Sequence, residues 1–364
     1  MTNKKFNKNT GKTANINPHY TSAIKKLLPP TAGCFSTVAQ ARGIKLDELP
    51  RRLEPQTILM CDPQQFRIID VKNAFMEGNI NRTSTNKAVQ QWNSVRSVFD
   101  RLGYHVEVVR SRAEREDMVF TANQVLLGAD EGRHGSANSV RHNLVYKFAG
   151  KYVVLANMVH PSRRKEIPYF EKWFAAHGYR IIKLHGQRNI GISGSEFTDA
   201  GITAKKNRPS PYFEGQGDAL WHPGVQLLWG GWGHRTELAA HQQLCELINV
   251  PIVTLHLVHP KFYHLDTAFC PLDMHAVMYY PKAFDIHGNE LIRHFFKNVI
   301  VVNDADAENF ACNALPLGKN VILQKGSNRV CAHLRQHGFK PIEVDTSEFM
   351  KSGGSVSCLK MLIY

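Results

Sequence analysis

Residues 152–184 read YVVLANMVHPSRRKEIPYFEKWFAAHGYRIIKL and contain three hydrophobic patterns in succession. A β-rich run leads through a loop into an amphipathic helix pattern that ends at Gly178, and a second β-rich run follows. Apolar residues change from helical spacing to a strand-like run at that glycine. A glycine after the last helical residue supplies the left-handed conformation of a common C-cap. The stretch therefore predicts a strand–helix–strand unit.

The same unit recurs, so that five copies lie between residues 57 and 345. The first strands of the other four copies are TILMCDP (57–63), VQLLWGG (225–231), HAVMYYP (275–281) and NVILQKG (320–326). Two more predicted helices end on a glycine, at Gly103 and Gly338. Repeated units of this kind favour a doubly wound sheet. Extra strand-like runs, of which the ALWHPGVQLLW hairpin (219–229) is the clearest, suit a closed radial array at least as well.

Bulk composition indicates a globular protein with a sizeable core. Of the 364 residues, 43% are hydrophobic and 10% are aromatic, which are ordinary values for such a protein. No run of eighteen apolar residues exists, so no membrane partner is expected. No break in composition divides residues 56–364, which we interpret as one catalytic domain. For the insertion around residues 130–148, a lid, a docking surface and a disordered loop are the alternatives.

The formal net charge of +14 is concentrated near the N-terminus. Residues 1–55 carry ten Lys or Arg and three Asp or Glu, hence +7, and the much longer remainder carries the other +7. We predict a basic, flexible N-terminal extension over residues 1–55, with a targeting segment as the alternative. Nucleic acid is not an expected partner, because the basic clusters lack interleaved aromatic residues.

The seven cysteines include no CxxC pair and do not have the spacing of a disulfide framework. A reducing compartment is therefore expected, and the predicted location is cytoplasmic. A targeted or secreted protein, with its address in the basic extension, is the alternative.

The stretch FYHLDTAFCPLD (262–273) places a histidine and an aspartate two residues apart in an apolar run. If this stretch is a strand, His264 and Asp266 project from the same face. A partly exposed strand end with two solvated polar residues is the ordinary alternative. A second polar stretch, FEGQGD (213–218), carries Glu214 and Asp218 on either side of two glycines, and a solvated loop is its ordinary interpretation.

Together, Glu214, Asp218 and Asp266 would place three carboxylates around one pocket. Such a cluster repels itself unless a cation fills it, and a guanidinium is the natural occupant because its planar fork pairs bidentately with carboxylates. A metal ion is the rival cation. No HExxH motif is present and HLVH (256–259) is a weak pattern, so neither a metal nor a cofactor is expected.

Cys358 follows a Gly-Gly pair in SGGSVSCL (352–359), where a tight turn would make the thiol accessible to a substrate. Most cysteines are small buried hydrophobes, and that remains the alternative. As a nucleophile, Cys358 would need a neighbouring cation to raise its thiolate fraction, and His264 could act as general acid and base.

These motifs, in this order, resemble the guanidino-modifying superfamily of arginine deiminases, dimethylarginine dimethylaminohydrolases and glycine amidinotransferases. The resemblance runs from about Thr57 to the C-terminus and rests on FEGQGDAL, GWGHRTELAAH, FYHLDTAFCPL and the terminal Gly-Gly-to-Cys segment. It implies a five-bladed α/β propeller, the pentein fold, which accounts for the five units.

The resemblance also implies roles for individual residues. Cys358 would attack the guanidinium carbon to give a covalent thiouronium, and His264 would protonate the leaving group and activate water. Glu214 and Asp266 match carboxylates that grip the guanidinium, and Asp218 falls within the same motif.

Four further residues are implied in substrate binding. Arg235 and Arg163 are the two candidates for holding the substrate's α-carboxylate. Asn123, in VFTANQ, stands where deiminases carry an aspartate. Asn73, in NAFM, resembles the asparagine of the NPxM segment in the arginine dihydrolase branch, although the proline is missing and CLK replaces that branch's usual CLT after the cysteine.

The predicted function is therefore hydrolysis of arginine, a small-molecule guanidino substrate, to ornithine, ammonia and carbon dioxide. Arginine deiminase, dimethylarginine hydrolase and amidinotransferase activities are the alternatives within the superfamily. A non-catalytic binding protein is the alternative from another class, and homo-oligomerisation is left open.

Overall fold

The computed structural model describes residues 33–130, 150–186 and 209–364. Residues 1–32 of the predicted extension and residues 131–148 of the predicted insertion lie outside the described residues.

The described residues form sixteen strands in five separate sheets. The strands are β1 (Cys34–Phe35), β2 (Thr57–Cys61), β3 (His105–Val109), β4 (Val125–Asp130), β5 (Gly150–Leu155), β6 (Arg180–Ile182), β7 (Ala219–Trp221), β8 (Leu228–Trp232), β9 (Ile252–His256), β10 (Phe269–Pro271), β11 (Ala276–Tyr279), β12 (Asn298–Val301), β13 (Leu315–Leu317), β14 (Asn320–Gln324), β15 (Lys340–Val344) and β16 (Lys360–Ile363).

All five sheets share one pattern, an antiparallel pair followed by a parallel pair. In the stretch quoted first, β4 and β5 are antiparallel, whereas β5 and β6 are parallel and joined through a helix. The parallel pair of each sheet is one of the five predicted strand–helix–strand units, and the extra antiparallel strand is the hairpin partner. The strands do not combine into the single doubly wound sheet that the repeats alone would also have allowed.

Helices connect the parallel strands and cover the sheets. In the described part of the chain they are α1 (Val38–Ala41), α2 (Thr85–Arg101), α3 (Pro161–Arg164), α4 (Ile167–Ala176), α5 (Leu238–Ile248), α6 (Ile286–Phe295), α7 (Asp304–Glu308), α8 (Asn328–Gln336) and α9 (Ser347–Met350). None of these helices is both long enough and apolar enough to cross a membrane.

Helix α2 shows how the sequence sets these elements. The Ser84 hydroxyl accepts a hydrogen bond from the backbone N–H of Lys87 and caps the N-terminus. Ala88, Trp92, Val95 and Phe99 recur at helical spacing and are buried against the sheet. The predicted glycine after the helix, Gly103, has a φ of 83° and ends it in the left-handed conformation.

One sheet takes strands from both ends of the folded region. Strand β16, close to the C-terminus, is antiparallel to β2, with Lys360 opposite Met60. Cys358 lies in the turn directly before β16, and its carbonyl accepts a hydrogen bond from the backbone N–H of Ala122 at 3.2 Å. Closing the first sheet with the last strand thus brings the cysteine beside the start of the second unit.

The predicted boundary at residue 55 differs from the structure. Strand β1 is parallel to β9, with Cys34 opposite Ile252. Ala41, Ile44 and Leu49 are at most 5% exposed and belong to the largest apolar cluster. Residues 33–55 are therefore part of the folded domain, because a few apolar side chains bury there although the surrounding composition is basic.

Candidate active site

Short turns in front of the sheets bring the polar residues of several units into one pocket of about 330 Å³. Six of the nine predicted site residues line it: Asn73, Asn123, Arg163, Arg235, His264 and Cys358. The rest of its lining is Lys72, Met76, Asp117, Phe120, Tyr263, Ser352 and Gly353.

The stretch around His264 is a turn, not the strand that the sequence suggested. His264 precedes a single 3₁₀ turn over Leu265–Thr267, and strand β10 begins only at Phe269. The turn separates the two side chains, so that His264 contacts Glu214 and Asp266 contacts Cys358. They still serve one site, but through different partners.

Cys358 is held on two sides. Its Sγ atom is 3.3 Å from Asp266 Oδ2 and accepts a hydrogen bond from Asn313 Nδ2 at 3.2 Å. The side chain is 3% exposed. Burial and the neighbouring Asp266 carboxylate raise the pKa of the Cys358 thiol well above its usual value, against the opposing effect of the Asn313 amide.

Glu214 supports His264 from behind. Its Oε2 atom is 2.6 Å from His264 Nε2, and its carboxylate also pairs with Arg235 at 3.4 Å. Burial alone would raise the pKa of Glu214. The hydrogen bond to His264 and the charges of His264, Arg235 and Arg163 outweigh burial and hold that pKa well below its usual range.

Asp218 and Asp266 lie behind the reactive side chains. Asp218 accepts hydrogen bonds from the Leu265 backbone N–H at 2.9 Å and from the Thr236 hydroxyl at 2.7 Å. Burial raises the pKa of Asp218 to about 6, although His264 and these hydrogen bonds oppose it. The three predicted carboxylates thus position His264 and Cys358, and none of them lines the pocket.

The two candidate arginines both reach the pocket from buried positions. Arg235 lies 4.7 Å over the ring of Tyr263 and donates a hydrogen bond to the carbonyl of Lys72 at 2.7 Å. Arg163 pairs with Glu166 at 3.1 Å and lies 3.4 Å from Asn123 Oδ1. Burial would lower the pKa of Arg163, but the charge of Glu166 outweighs it and raises that pKa.

Three residues of the site were missed from the sequence. Asn313 donates to Cys358 and to the Asp266 carbonyl. It lies two residues before β13, as Asn123 lies two residues before β4 and Cys358 two residues before β16. That equivalent position was the available signal. Asp117 and Lys72 form a buried ion pair at 3.1 Å on the pocket wall. Asp117 belongs to a polar stretch after the first unit, and Lys72 is next to Asn73.

Among the described residues, no group of three His, Cys, Asp or Glu side chains is arranged to hold a metal ion.

The model of the eukaryotic N,N-dimethylarginine dimethylhydrolase family matches residues 62–364, a range that contains Cys358, His264 and every side chain of the pocket. The chain belongs to the dimethylarginine dimethylhydrolase family.

Two relatives of this chain are named for different activities on arginine or its derivatives. The bifunctional arginine dihydrolase/ornithine cyclodeaminase of Nostoc sp. strain PCC 7120 is 34% identical over 307 residues, covering 84% of this chain and 37% of the relative. The N(G),N(G)-dimethylarginine dimethylaminohydrolase of Mycobacterium tuberculosis is 32% identical over 317 residues, covering 86% of this chain and 89% of the relative. The chain thus spans little more than a third of the bifunctional relative.

Solved structures confirm the fold of this dimethylarginine dimethylhydrolase family member as the predicted pentein fold. The N-terminal domain of ArgZ, a cyanobacterial arginine dihydrolase solved with bound substrate, superposes with a TM-score of 0.69 at 32% identity, covering 84% of this chain and 97% of that one. A dimethylarginine dimethylaminohydrolase superposes with a TM-score of 0.58 at 17% identity, covering 84% and 99%.

Proposed function

We propose that the chain is a cysteine-dependent hydrolase of the arginine guanidinium group that forms ornithine, ammonia and carbon dioxide. The observation that carries the proposal is that Cys358 and His264 line the same pocket, each positioned from behind by a buried carboxylate. Arg163 and Arg235 on the pocket wall suit a substrate that bears a carboxylate, and Asp117 suits one that bears a cation.

The first half of the reaction forms the covalent intermediate. The Cys358 thiolate adds to the guanidinium carbon, and a terminal C–N bond breaks as His264 donates a proton, so that ammonia leaves and a thiouronium remains. Because the pKa of the free thiol is raised, the positive charge of the bound guanidinium is needed to favour the thiolate. The substrate therefore assists in activating its own nucleophile.

The second half determines the product. Water adds to the thiouronium carbon and His264 accepts its proton. If the C–S bond breaks at this point, citrulline leaves. If the second terminal nitrogen leaves first as ammonia, a thiocarbamate stays on Cys358, and a second water releases ornithine and carbon dioxide.

Asn123 favours the second route. Its amide nitrogen is 3.4 Å from His264 Nδ1, where a carboxylate would hold the remaining guanidinium nitrogens as a cation. A neutral amide adds no such charge. Two further observations agree: the Nostoc relative is named an arginine dihydrolase, and an ArgZ variant has been solved covalently bound to a reaction intermediate.

Hydrolysis of N,N-dimethylarginine is the second candidate. The family match and the Mycobacterium tuberculosis relative favour it. It would use the same thiouronium chemistry, with dimethylamine as the leaving group and citrulline as the product.

Mass spectrometry of the products tests both candidates. The purified protein is incubated separately with L-arginine and with N,N-dimethylarginine, alongside Cys358→Ala and the matched control Cys331→Ala, which removes a buried thiol in α8 outside the pocket. Ornithine and ammonia from arginine, lost only in Cys358→Ala, support the proposal. Citrulline and dimethylamine from dimethylarginine alone support the second candidate. Turnover that persists in Cys358→Ala overturns both. A wild type that leaves both substrates unchanged also overturns both, and an amine acceptor then tests amidino transfer.

A further inference from the structure

Lys360 is a buried lysine that the proposed reaction does not use. It is the first residue of β16, two positions after Cys358, and is 6% exposed. Burial of an ammonium group is costly unless it is well paired, and an apolar side chain at such a position usually gives equal or greater stability. A purely structural role therefore explains Lys360 poorly.

Lys360 interacts with the residues that surround the proposed nucleophile, Cys358. Its Nζ atom donates to the Ser357 hydroxyl at 3.5 Å, and no carboxylate of the described residues lies within 4.0 Å of it in an ion pair. The main charge interaction of Lys360 is with Asp266, which is 1% exposed and whose Oδ2 atom is 3.3 Å from Cys358 Sγ. Lys360 does not line the pocket, so the charge that it presents to Asp266 and Cys358 lies within the protein interior.

We propose that Lys360 is a positioning residue that stabilises the Cys358 thiolate from behind by offsetting the negative charge of Asp266. The proposal rests on the proposed function, in which Cys358 is the nucleophile. In this role the ammonium group of Lys360 is a counter-charge to Asp266 that is present both before and after the substrate cation occupies the pocket.

The electrostatic balance around the thiol agrees with this role. Burial and the Asp266 carboxylate raise the pKa of Cys358. Burial also raises the pKa of Asp266, and the charges of His264 and Lys360 oppose that rise. Burial lowers the pKa of Lys360, whereas the charges of Asp266, Cys358 and Cys270 favour its ammonium form. Tyr263, on the pocket side, also interacts with Cys358. Among these groups, Lys360 supplies a positive charge that does not belong to the pocket.

The test measures alkylation of Cys358 by iodoacetamide between pH 7 and 10, with the modified peptide quantified by mass spectrometry. Lys360→Met and Lys360→Gln remove the charge, and Gln keeps a donor for Ser357. Lys360→Arg keeps the charge. At fixed pH we expect Met and Gln to slow alkylation by about tenfold, as a rise of about one unit in thiol pKa would do, and Arg to stay within about threefold of the wild type.

An alkylation profile that does not shift in Lys360→Gln overturns the proposal, as does equal slowing in all three variants, since loss of packing would affect them alike. If Lys360→Met does not fold, as judged by circular dichroism, the comparison of Gln with Arg still tests the charge. The readout needs no turnover, so failure of the proposed function would appear separately, as a wild-type protein that leaves arginine unchanged.

Discussion

Glu214 is a buried charge that contacts both His264 and Arg235, two side chains of the pocket. It is fully buried. Besides its contacts with His264 and Arg235, its carboxylate accepts a hydrogen bond from the backbone N–H of Val159 at 3.1 Å. Because its pKa is held well below the usual range for Glu, it stays ionised at any pH at which the protein would function. Its negative charge lies 2.6 Å from the imidazole that would donate a proton to the leaving ammonia.

Replacing Glu214 with Gln keeps the shape and removes that charge. We expect kcat for arginine to fall by about 100-fold or more, a typical contribution of general acid–base catalysis, with a smaller change in KM. Steady-state kinetics checks this. The control is Glu308→Gln, which removes an exposed carboxylate that pairs with Lys261. Equal kcat in Glu214→Gln and wild type would contradict the assigned role.

Asp218 makes stability depend on pH in a predictable direction. Its folded pKa of about 6 lies above the value of about 3.9 for an unfolded aspartate. Such a group contributes stability that is fully present below pH ~4 and is lost as pH rises through about 6. Asp218→Asn should remove this component, which amounts to about 3 kcal/mol at most. Urea unfolding of both proteins at pH 4 to 7 checks it, and parallel pH profiles would contradict it.

At the scale of elements, the functional side chains His264 and Cys358 lie in short turns and not in strands. The turn that leads to Cys358 shows why these turns tolerate little change. Gly353 has a φ of 84°, and a Cβ there would lie 2.6 Å from the Tyr263 hydroxyl and 2.9 Å from Asn73 Oδ1. An alanine would therefore both strain the backbone and displace two side chains of the pocket wall.

Gly353→Ala should lower the free energy of unfolding by about 1–3 kcal/mol and raise KM for arginine several-fold. Gly318→Ala is the matched control, because Gly318 has a φ of 60° but open space around its Cβ position. The control should cost only the backbone strain, about 1 kcal/mol, and leave KM unchanged. Denaturant unfolding and kinetics measure both quantities. If the two variants show the same KM, the pocket wall does not depend on Gly353.

The turns also explain what the sequence could not predict. The apolar residues around His264 have the composition of a strand, and nothing local distinguishes a single 3₁₀ turn from an extended segment. The contact of Glu214 with His264 joins residues 50 positions apart, and that of Asp266 with Cys358 joins residues 92 apart. Contacts of this kind depend on how the units are arranged in space. The family resemblance therefore predicted which residues belong to the site, but not which of them contact each other.

At the scale of the whole molecule, the five repeated units were predictable because each carries its own hydrophobic pattern. In addition, three predicted helix ends carry a glycine with positive φ, at Gly103, Gly178 and Gly338. The start of the domain was not. Residues 1–55 are basic on average, and that average gave no sign that Ile44 and Leu49 would be buried. Both belong to the same apolar cluster as residues of α6 and β9. Averages over a segment miss a few buried side chains, although these determine where a domain begins.

Leu49→Ala tests whether this segment belongs to the domain. Leu49 is 5% exposed, and its truncation should lower the free energy of unfolding by about 2–5 kcal/mol. Leu53→Ala is the control, since Leu53 is 43% exposed and its truncation should cost less than about 0.5 kcal/mol. Urea unfolding of the two variants gives the comparison, and equal midpoints would show that the core does not include residue 49.

The most direct test of the central claim is whether Cys358 becomes covalently attached to the substrate during turnover. The protein and Cys358→Ala are each mixed with L-arginine, quenched in acid within the first turnover and analysed by intact-mass and peptide mass spectrometry. The account predicts an added mass equal to arginine less ammonia, located on the peptide that contains Cys358 and absent from Cys358→Ala. Turnover of arginine with no adduct on Cys358, or with the adduct on another residue, would contradict it.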